Sequence, residues 1–200
     1  MPQGFDEIFG AQRIMAILRG LPERETVDMA SRAWDLGIDL VEVPVQTPDA
    51  LPALRAAIAA GAERGRTVGA GTVITLEQVT AVAGAGAIFT VAPGFDPAVL
   101  AASTAAGLPH LPGIATPSEI QLALRHGLTW LKAFPAVALG PDWFKAVSGP
   151  FPQLNLVATG GLDAHAAPNF LGAGARVVAV GSALADPAQI DLLADLIKVA

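Results

Sequence analysis

The sequence predicts a (β/α)8 TIM barrel with a short N-terminal helix, and three observations carry that expectation. A short apolar run, a small-residue loop and a helical stretch recur about every 20–30 residues, the spacing of strand–helix units. Eight such units fit into 200 residues, a length that suits one domain with a sizeable core. Hydrophobic residues make up 52% of the chain and charged residues only 15%, as expected of strands buried on both faces. The competing architecture is an open doubly wound sheet. Its glycine fingerprint is missing, because Gly69-Ala-Gly71 runs on into Thr-Val-Ile. No linker or low-complexity tract divides residues 1–200, which read as one domain.

Met1–Gly10 reads as the leading helix, with Phe5, Ile8 and Phe9 on one face. Arg13–Arg19 is the first strand. Pro22 opens its helix, with Glu23 and Glu25 where carboxylates favour the dipole and Val27, Ala30, Trp34 and Leu36 on the inner side. Asp39–Val45 is the second strand, followed by a helix from Pro48 to about Glu63. Thr67–Ala70 is the third, and Thr75 and Gln78 form a capping box for the next helix. Ala87–Ala92 is the fourth, with a helix from Asp96-Pro97. Leu108–Gly113 is the fifth, and Thr116-Pro-Ser-Glu119 combines a capping box with proline at the first helical position. Leu128–Phe134 is the sixth, with a helix from near Pro141. Asn155–Thr159 is the seventh, with a helix from about Asp163. Arg176–Val180 is the eighth, and Asp186-Pro187 caps the last helix.

Composition excludes several functions. A net charge of −6 argues against general nucleic-acid binding and against an anionic membrane surface. The absence of cysteine removes disulfides, thiolate catalysis and cysteine-bound metals. Two uncharged stretches, Gln78–Phe95 and Pro97–Ser118, are broken by Gly, Pro, Ser and Thr, so they read as buried strands and loops and not as membrane spans. The N-terminus carries Asp6 and Glu7 and lacks a basic segment followed by an apolar one, so a cytoplasmic protein is expected.

In such barrels functional residues gather at the C-terminal ends of the strands. Those positions hold Arg19, Glu42, Thr72, Pro93, Gly113, Lys132, Thr159-Gly160-Gly161 and Gly181-Ser182. Lys132 is one of only three lysines. Lys145 and Lys198 occupy ordinary solvated places, whereas Lys132 sits among Trp130, Leu131, Ala133 and Phe134. Desolvation there favours the neutral amine, a nucleophile for carbonyl carbon. The plainer alternative is a lysine that reaches water or pairs with a carboxylate. Glu42, between Val41 and Val43, is either an acid–base group or the partner of Lys132 or Arg19. The glycines at 160, 161 and 181, each ahead of a helix, suit the close approach of a phosphate, though tight turns would also use them. No metal cluster is visible. His126 and His165 read as surface helix residues and His110 as a core histidine. A buried amine, a buried carboxylate and a phosphate cradle together suggest imine chemistry on a phosphorylated oxo compound.

From Ile14 to about Ala185 the chain resembles the class I, Schiff-base aldolases that cleave 2-keto-3-deoxy-6-phosphogluconate (KDPG), its galactonate epimer (KDPGal) or 4-hydroxy-2-oxoglutarate. The resemblance rests on I-M-A-I-L-R-G, V-E-V-P, G-A-G-T-V-I-T, A-P-G-F-D, L-P-G-I-A-T-P-S-E, L-K-A-F-P-A, A-T-G-G and V-G-S, in that order. It implies that Lys132 forms the imine and that Glu42 moves protons through a water. It implies that Thr72, Pro93 and Phe134 line a pyruvate pocket and that Gly160, Gly161, Gly181 and Ser182 hold the phosphate. KDPG aldolases carry an arginine where this chain has Gln46. The amide there resembles the galactonate-type enzymes and leaves Arg19 to meet the substrate carboxylate. Thr159, facing a substrate hydroxyl, matches the gluconate type instead, so the resemblance leaves the epimer open. It further implies a phosphorylated 2-oxo acid as substrate, no cofactor or metal, and a homotrimer. The alternatives are cleavage of 4-hydroxy-2-oxoglutarate, or a catalytically silent barrel that binds a phosphorylated metabolite through a structural Lys132–Glu42 pair.

Overall fold

Strands and helices alternate as the apolar periodicity requires, in a computed structural model that describes residues 4–198. The strands are β1 (Ile14–Ile17), β2 (Leu40–Pro44), β3 (Val68–Gly71), β4 (Thr90–Val91), β5 (His110–Leu111), β6 (Gly113–Ile114), β7 (Trp130–Ala133), β8 (Asn155–Ala158) and β9 (Val177–Val180). All belong to one parallel sheet, in the order β5-β4-β3-β2-β1-β9-β8-β7-β6.

The expected fifth strand is two pieces, one on each side of Pro112. Proline has no N–H to give a ladder, so regular pairing stops there. Its carbonyl still accepts from the Lys132 amide at 2.9 Å, and the Gly113 amide donates to Gly94 at 3.1 Å. Because β5 pairs with β4 and β6 with β7, this break joins the two ends of the sheet and brings the barrel round on itself.

The helices are α1 (Phe5–Phe9), α2 (Glu23–Asp35), α3 (Leu51–Glu63), α4 (Leu76–Ala85), α5 (Pro97–Ala105), α6 (Pro117–Arg125), α7 (Ala136–Leu139), α8 (Pro141–Ser148), α9 (Ala167–Gly172) and α10 (Pro187–Lys198). Both capping boxes form, Thr75 with Gln78 and Thr116 with Glu119. Asp96 and Asp186 accept from the amides of Ala98 and Ala188 at 2.7 and 3.0 Å. Several boundaries differ from the sequence expectation. The one-turn α7 was not foreseen, and α9 starts at Ala167 because the Asp163 carboxylate holds a turn first, accepting from the Ala166 amide at 2.8 Å. On α2 the buried stripe is Thr26, Ala30, Ala33 and Trp34, with Val27 and Leu36 only partly covered. Thr26 can be buried because its hydroxyl donates to the Pro22 carbonyl at 3.0 Å. Residues 1–3 of the expected leading helix, and the side chain of Lys198, lie outside the described residues.

Side chains alternate across each strand, one set facing the helices and the other the barrel interior. The inner set includes Met15, Leu40, Phe89, Val91, Leu111, Trp130, Val157, Val177 and Ala179. Phe5 and Phe9 of α1 join it as a plug at the N-terminal end. The Phe9 ring lies 4.8 Å from that of Trp130, whose indole donates to Asp6 at 2.9 Å. Polar inward positions therefore remain only toward the opposite end.

Candidate active site

Lys132 is the third residue of β7, in register with Gly113 on β6 and Val157 on β8. Two residues after the inward Trp130, it also faces the interior, and it is only 2% exposed. Its Nζ lies 5.0 Å from the Phe134 ring centroid. Glu42, in register with Ile17 and Gly69, is fully buried. Gly71 makes room for it, since a Cβ there would overlap Glu42 Oε1. Arg64–Asp35, Arg66–Asp39 and Lys145–Asp142 form ion pairs, all on the surface. Neither Glu42 oxygen has a hydrogen-bond partner. The structural ion pair that the sequence left open between Glu42 and Lys132 or Arg19 is therefore not formed.

Burial dominates the electrostatics. It raises the Glu42 carboxyl above its ordinary value, with Lys132 and Arg19 pulling it back down. It lowers the Lys132 amine below its ordinary value, opposed by Glu42 and reinforced by Arg19. In both groups burial works against the charged form.

A cavity of about 420 Å³ opens above Lys132 at the C-terminal ends of the strands. Of the residues expected in the site, it is lined by Arg19, Thr72, Pro93, Lys132, Phe134, Thr159, Gly160, Gly161, Gly181 and Ser182. Glu42 lies behind this wall. Gln46 is exposed and outside the lining; Gly113 is buried and also outside it, its missing Cβ instead admitting the Pro93 carbonyl. Ile17, Leu162 and Ala179 complete the lining and were not singled out from sequence. Being apolar, they carry no chemical signal. Only their phase on β1 and β9 and their place after the glycine pair could have pointed to them.

Three parts of the wall have distinct character. Thr72 has φ 58°, a left-handed conformation that costs a β-branched residue roughly 1–2 kcal/mol, and its hydroxyl accepts from Arg19 Nη1 at 3.3 Å. Thr159 is buried with its hydroxyl unpartnered. Gly160 and Gly161 have φ of 98° and 76°, and a Cβ on either would collide with Phe134 or Val137. Helix N-termini do not back this cradle as expected: α9 begins only at Ala167, and Gly181 leads into a single 3-10 turn, Ser182–Ala185. Anion recognition there would fall to loop amides and the Ser182 hydroxyl.

His110 is a core histidine, with Nδ1 2.8 Å from the Thr90 hydroxyl. His126 is exposed at the end of α6, and His165 lies in the turn before α9. No group of three or more His, Asp or Glu placed to hold a metal occurs among the described residues, and none of their helices is long and apolar enough to cross a membrane.

The chain as a whole has relatives among known proteins. Residues 5–199 match the family described as KDPG and KHG aldolase. The chain is 33% identical over 175 residues to a probable 2-dehydro-3-deoxy-6-phosphogalactonate aldolase of Rhizobium meliloti, covering 87% of this chain and 82% of that one. It is 35% identical over 168 residues to a 2-dehydro-3-deoxy-phosphogluconate aldolase of Pseudomonas aeruginosa, covering 83% and 75%. Its fold matches that of the KDPG aldolase of Legionella pneumophila, solved with pyruvate captured as a covalent carbinolamine, with a TM-score of 0.82 and 30% identity over 96% of each chain.

Proposed function

The chain belongs to the KDPG and KHG aldolase family and is a carbon–carbon lyase; on that premise we propose that it cleaves a 2-dehydro-3-deoxy-6-phospho-sugar acid, KDPGal or KDPG, to pyruvate and glyceraldehyde 3-phosphate through a Schiff base on Lys132. The observation that carries this reading is Lys132 itself, an amine 2% exposed, without a carboxylate partner, at the base of the cavity.

The neutral amine adds to the C2 carbonyl, and the carbinolamine hydroxyl leaves as water with the proton of the Glu42 carboxylic acid, relayed by a water, to give a protonated imine and the Glu42 carboxylate. Glu42, behind the wall, takes the C4 hydroxyl proton by way of a water in the cavity. The C3–C4 bond then breaks. Its electron pair passes into the imine as a neutral enamine, and the aldehyde leaves. C3 takes its proton from Glu42, and water hydrolyses the protonated imine, returning one proton to Glu42 as pyruvate and the free amine are released. Arg19 and Thr72 would hold the carboxylate, with Pro93 and Phe134 against the methyl side. Thr159 offers its unpartnered hydroxyl to a substrate hydroxyl. Gly160, Gly161, Gly181 and Ser182 would hold the phosphate. Gln46, exposed beyond the lining, would act only at the cavity mouth.

A second reading, cleavage of 4-hydroxy-2-oxoglutarate, is favoured by one observation. Among the described residues Arg19 is the only cation lining the cavity besides Lys132, so none of their side-chain charges is reserved for a phosphate. For the assembly we carry forward a homotrimer, with the half-exposed Ile74 and Leu76 offering apolar surface.

Borohydride trapping with pyruvate, followed by intact mass and peptide mapping, tests the mechanism. One pyruvate-derived adduct confined to Lys132 is expected, and a folded protein without it would refute the imine. Ranking kcat/KM for KDPGal, KDPG and 4-hydroxy-2-oxoglutarate then separates the substrates.

A further inference from the structure

We infer that Gln78, on the first turn of α4 and outside the cavity lining, is a positioning residue that sets the oxo-acid wall by holding the chain on either side of Thr72. Its Oε1 accepts from the amides of Ile74 and Thr75 at 2.7 and 3.1 Å. Its Nε2 donates to the Val45 carbonyl at 2.9 Å. Val45 in turn donates its own amide to the Gly71 carbonyl at 2.8 Å. One side chain thus ties the exit of β2, three residues beyond Glu42, to the exit of β3.

Thr72 lies inside this loop of bonds. Gly71 is fixed before it by Val45. Val73 is fixed after it by donation to the Val91 carbonyl at 3.0 Å, and Ile74 by Gln78. A threonine in the left-handed region persists only where its surroundings over-determine it. Here they aim its hydroxyl at the cavity, where it receives Arg19 Nη1. Arg19 has no carboxylate among the ion pairs of the described residues, so this bond is what orients its guanidinium.

The other capping box shows that helix capping alone does not require the arrangement. Glu119 on α6 accepts from the amides of Ala115 and Thr116 at 2.9 and 2.8 Å. Among the described residues its side chain bonds only Ala115 and Thr116, and its loop is not part of the cavity lining. Gln78 makes the same two kinds of bond and adds the donation to Val45, which a glutamate could not make.

The inference rests on the reading of Arg19 and Thr72 as the carboxylate-binding wall. Pyruvate is therefore titrated against borohydride trapping in the wild type first, and absence of an adduct would refute that reading whatever Gln78 does. With the wild-type adduct present, Gln78→Ala should raise the half-saturating pyruvate about 10-fold, the scale of one or two lost hydrogen bonds, while the trapped fraction at saturation is unchanged. Gln78→Glu keeps the acceptor and loses the donor, so it should give a smaller rise, about three-fold. Glu119→Ala, with the same loss of capping, should leave the half-saturating concentration as in the wild type. Equal shifts in Gln78→Ala and Glu119→Ala, or none in either Gln78 variant, would overturn the inference. Should Gln78→Ala not fold, the Gln78→Glu titration decides alone.

Discussion

The two ends of the barrel solve opposite problems. At the N-terminal end Phe5, Phe9, Phe89 and Trp130 fill the interior ring against ring, and the one polar tip among them is satisfied by Asp6. At the C-terminal end Glu42 and Thr159 are buried without hydrogen-bond partners, Lys132 is buried and in none of the salt bridges found among the described residues, and Thr72 is in a strained conformation. Each unpartnered buried group costs roughly 1–3 kcal/mol. Other partnerless atoms, on Arg13, Trp34 and His110, occur singly elsewhere. Gathering such costs at one mouth of the barrel is what a site needs and what packing alone would not produce. On the proposed mechanism the closed end supplies stability and the open end reactivity.

Substituting Lys132 tests this division most severely. Lys132→Met keeps the length of the side chain and removes the amine. Cleavage should fall by at least about 10⁴-fold, as when a covalent nucleophile is removed. Thermal stability should hold or rise, because a desolvated amine gives way to an apolar group of similar volume. Calorimetry and turnover on one preparation measure both. Loss of activity together with a large drop in melting temperature would restore the reading of Lys132 as a structural element.

The opposite substitution belongs at the closed end. Phe9 is fully buried, and Phe9→Ala should cost roughly 3–5 kcal/mol in a urea melt. The kcat/KM of the folded fraction should stay within a factor of two or so of the wild type. A large fall in kcat/KM would mean that the aromatic plug transmits strain to Lys132 and that the ends are not separable.

How far this division can be read from the chain depends on the residue. Lys132 and Glu42 stood out because a charge inside an apolar strand is conspicuous, and the helix caps because their side-chain pattern is local. Whether Glu42 was paired could not be read, since that depends on how distant strands set their distance from one another. Ile17, Leu162 and Ala179 carry no chemical mark. Pro112 announced a break in pairing that the expected fifth strand ignored. The left-handed Thr72 and the bond from Gln78 to Val45 exist only once β2, β3 and α4 are packed together.

His110 offers the smallest effect and a control for the comparison, being buried with one unpartnered nitrogen and outside the cavity lining. Its Nδ1 meets the Thr90 hydroxyl, which also bonds the Ser103 hydroxyl at 3.0 Å on α5, while Nε2 has no partner. Burial lowers its pKa from 6.5 to about 4, partly offset by Asp96. The unfolded chain therefore takes up a proton at a pH where the folded protein does not. The stability linked to His110 is complete above pH 6.5 and is lost as pH falls from 6.5 toward about 4, in total about 3 kcal/mol. Glu42 works with the opposite sign, because its raised pKa favours the folded state as pH falls. Wild type and His110→Asn share that contribution, so the difference between their urea-melt stabilities isolates the histidine. The wild-type curve should fall more steeply between pH 6.5 and 4.5, with kcat/KM alike in both proteins at pH 7.5. Parallel stability curves would show that His110 is charged in the folded protein. A change in kcat/KM would show that a buried group outside the cavity lining also serves the chemistry.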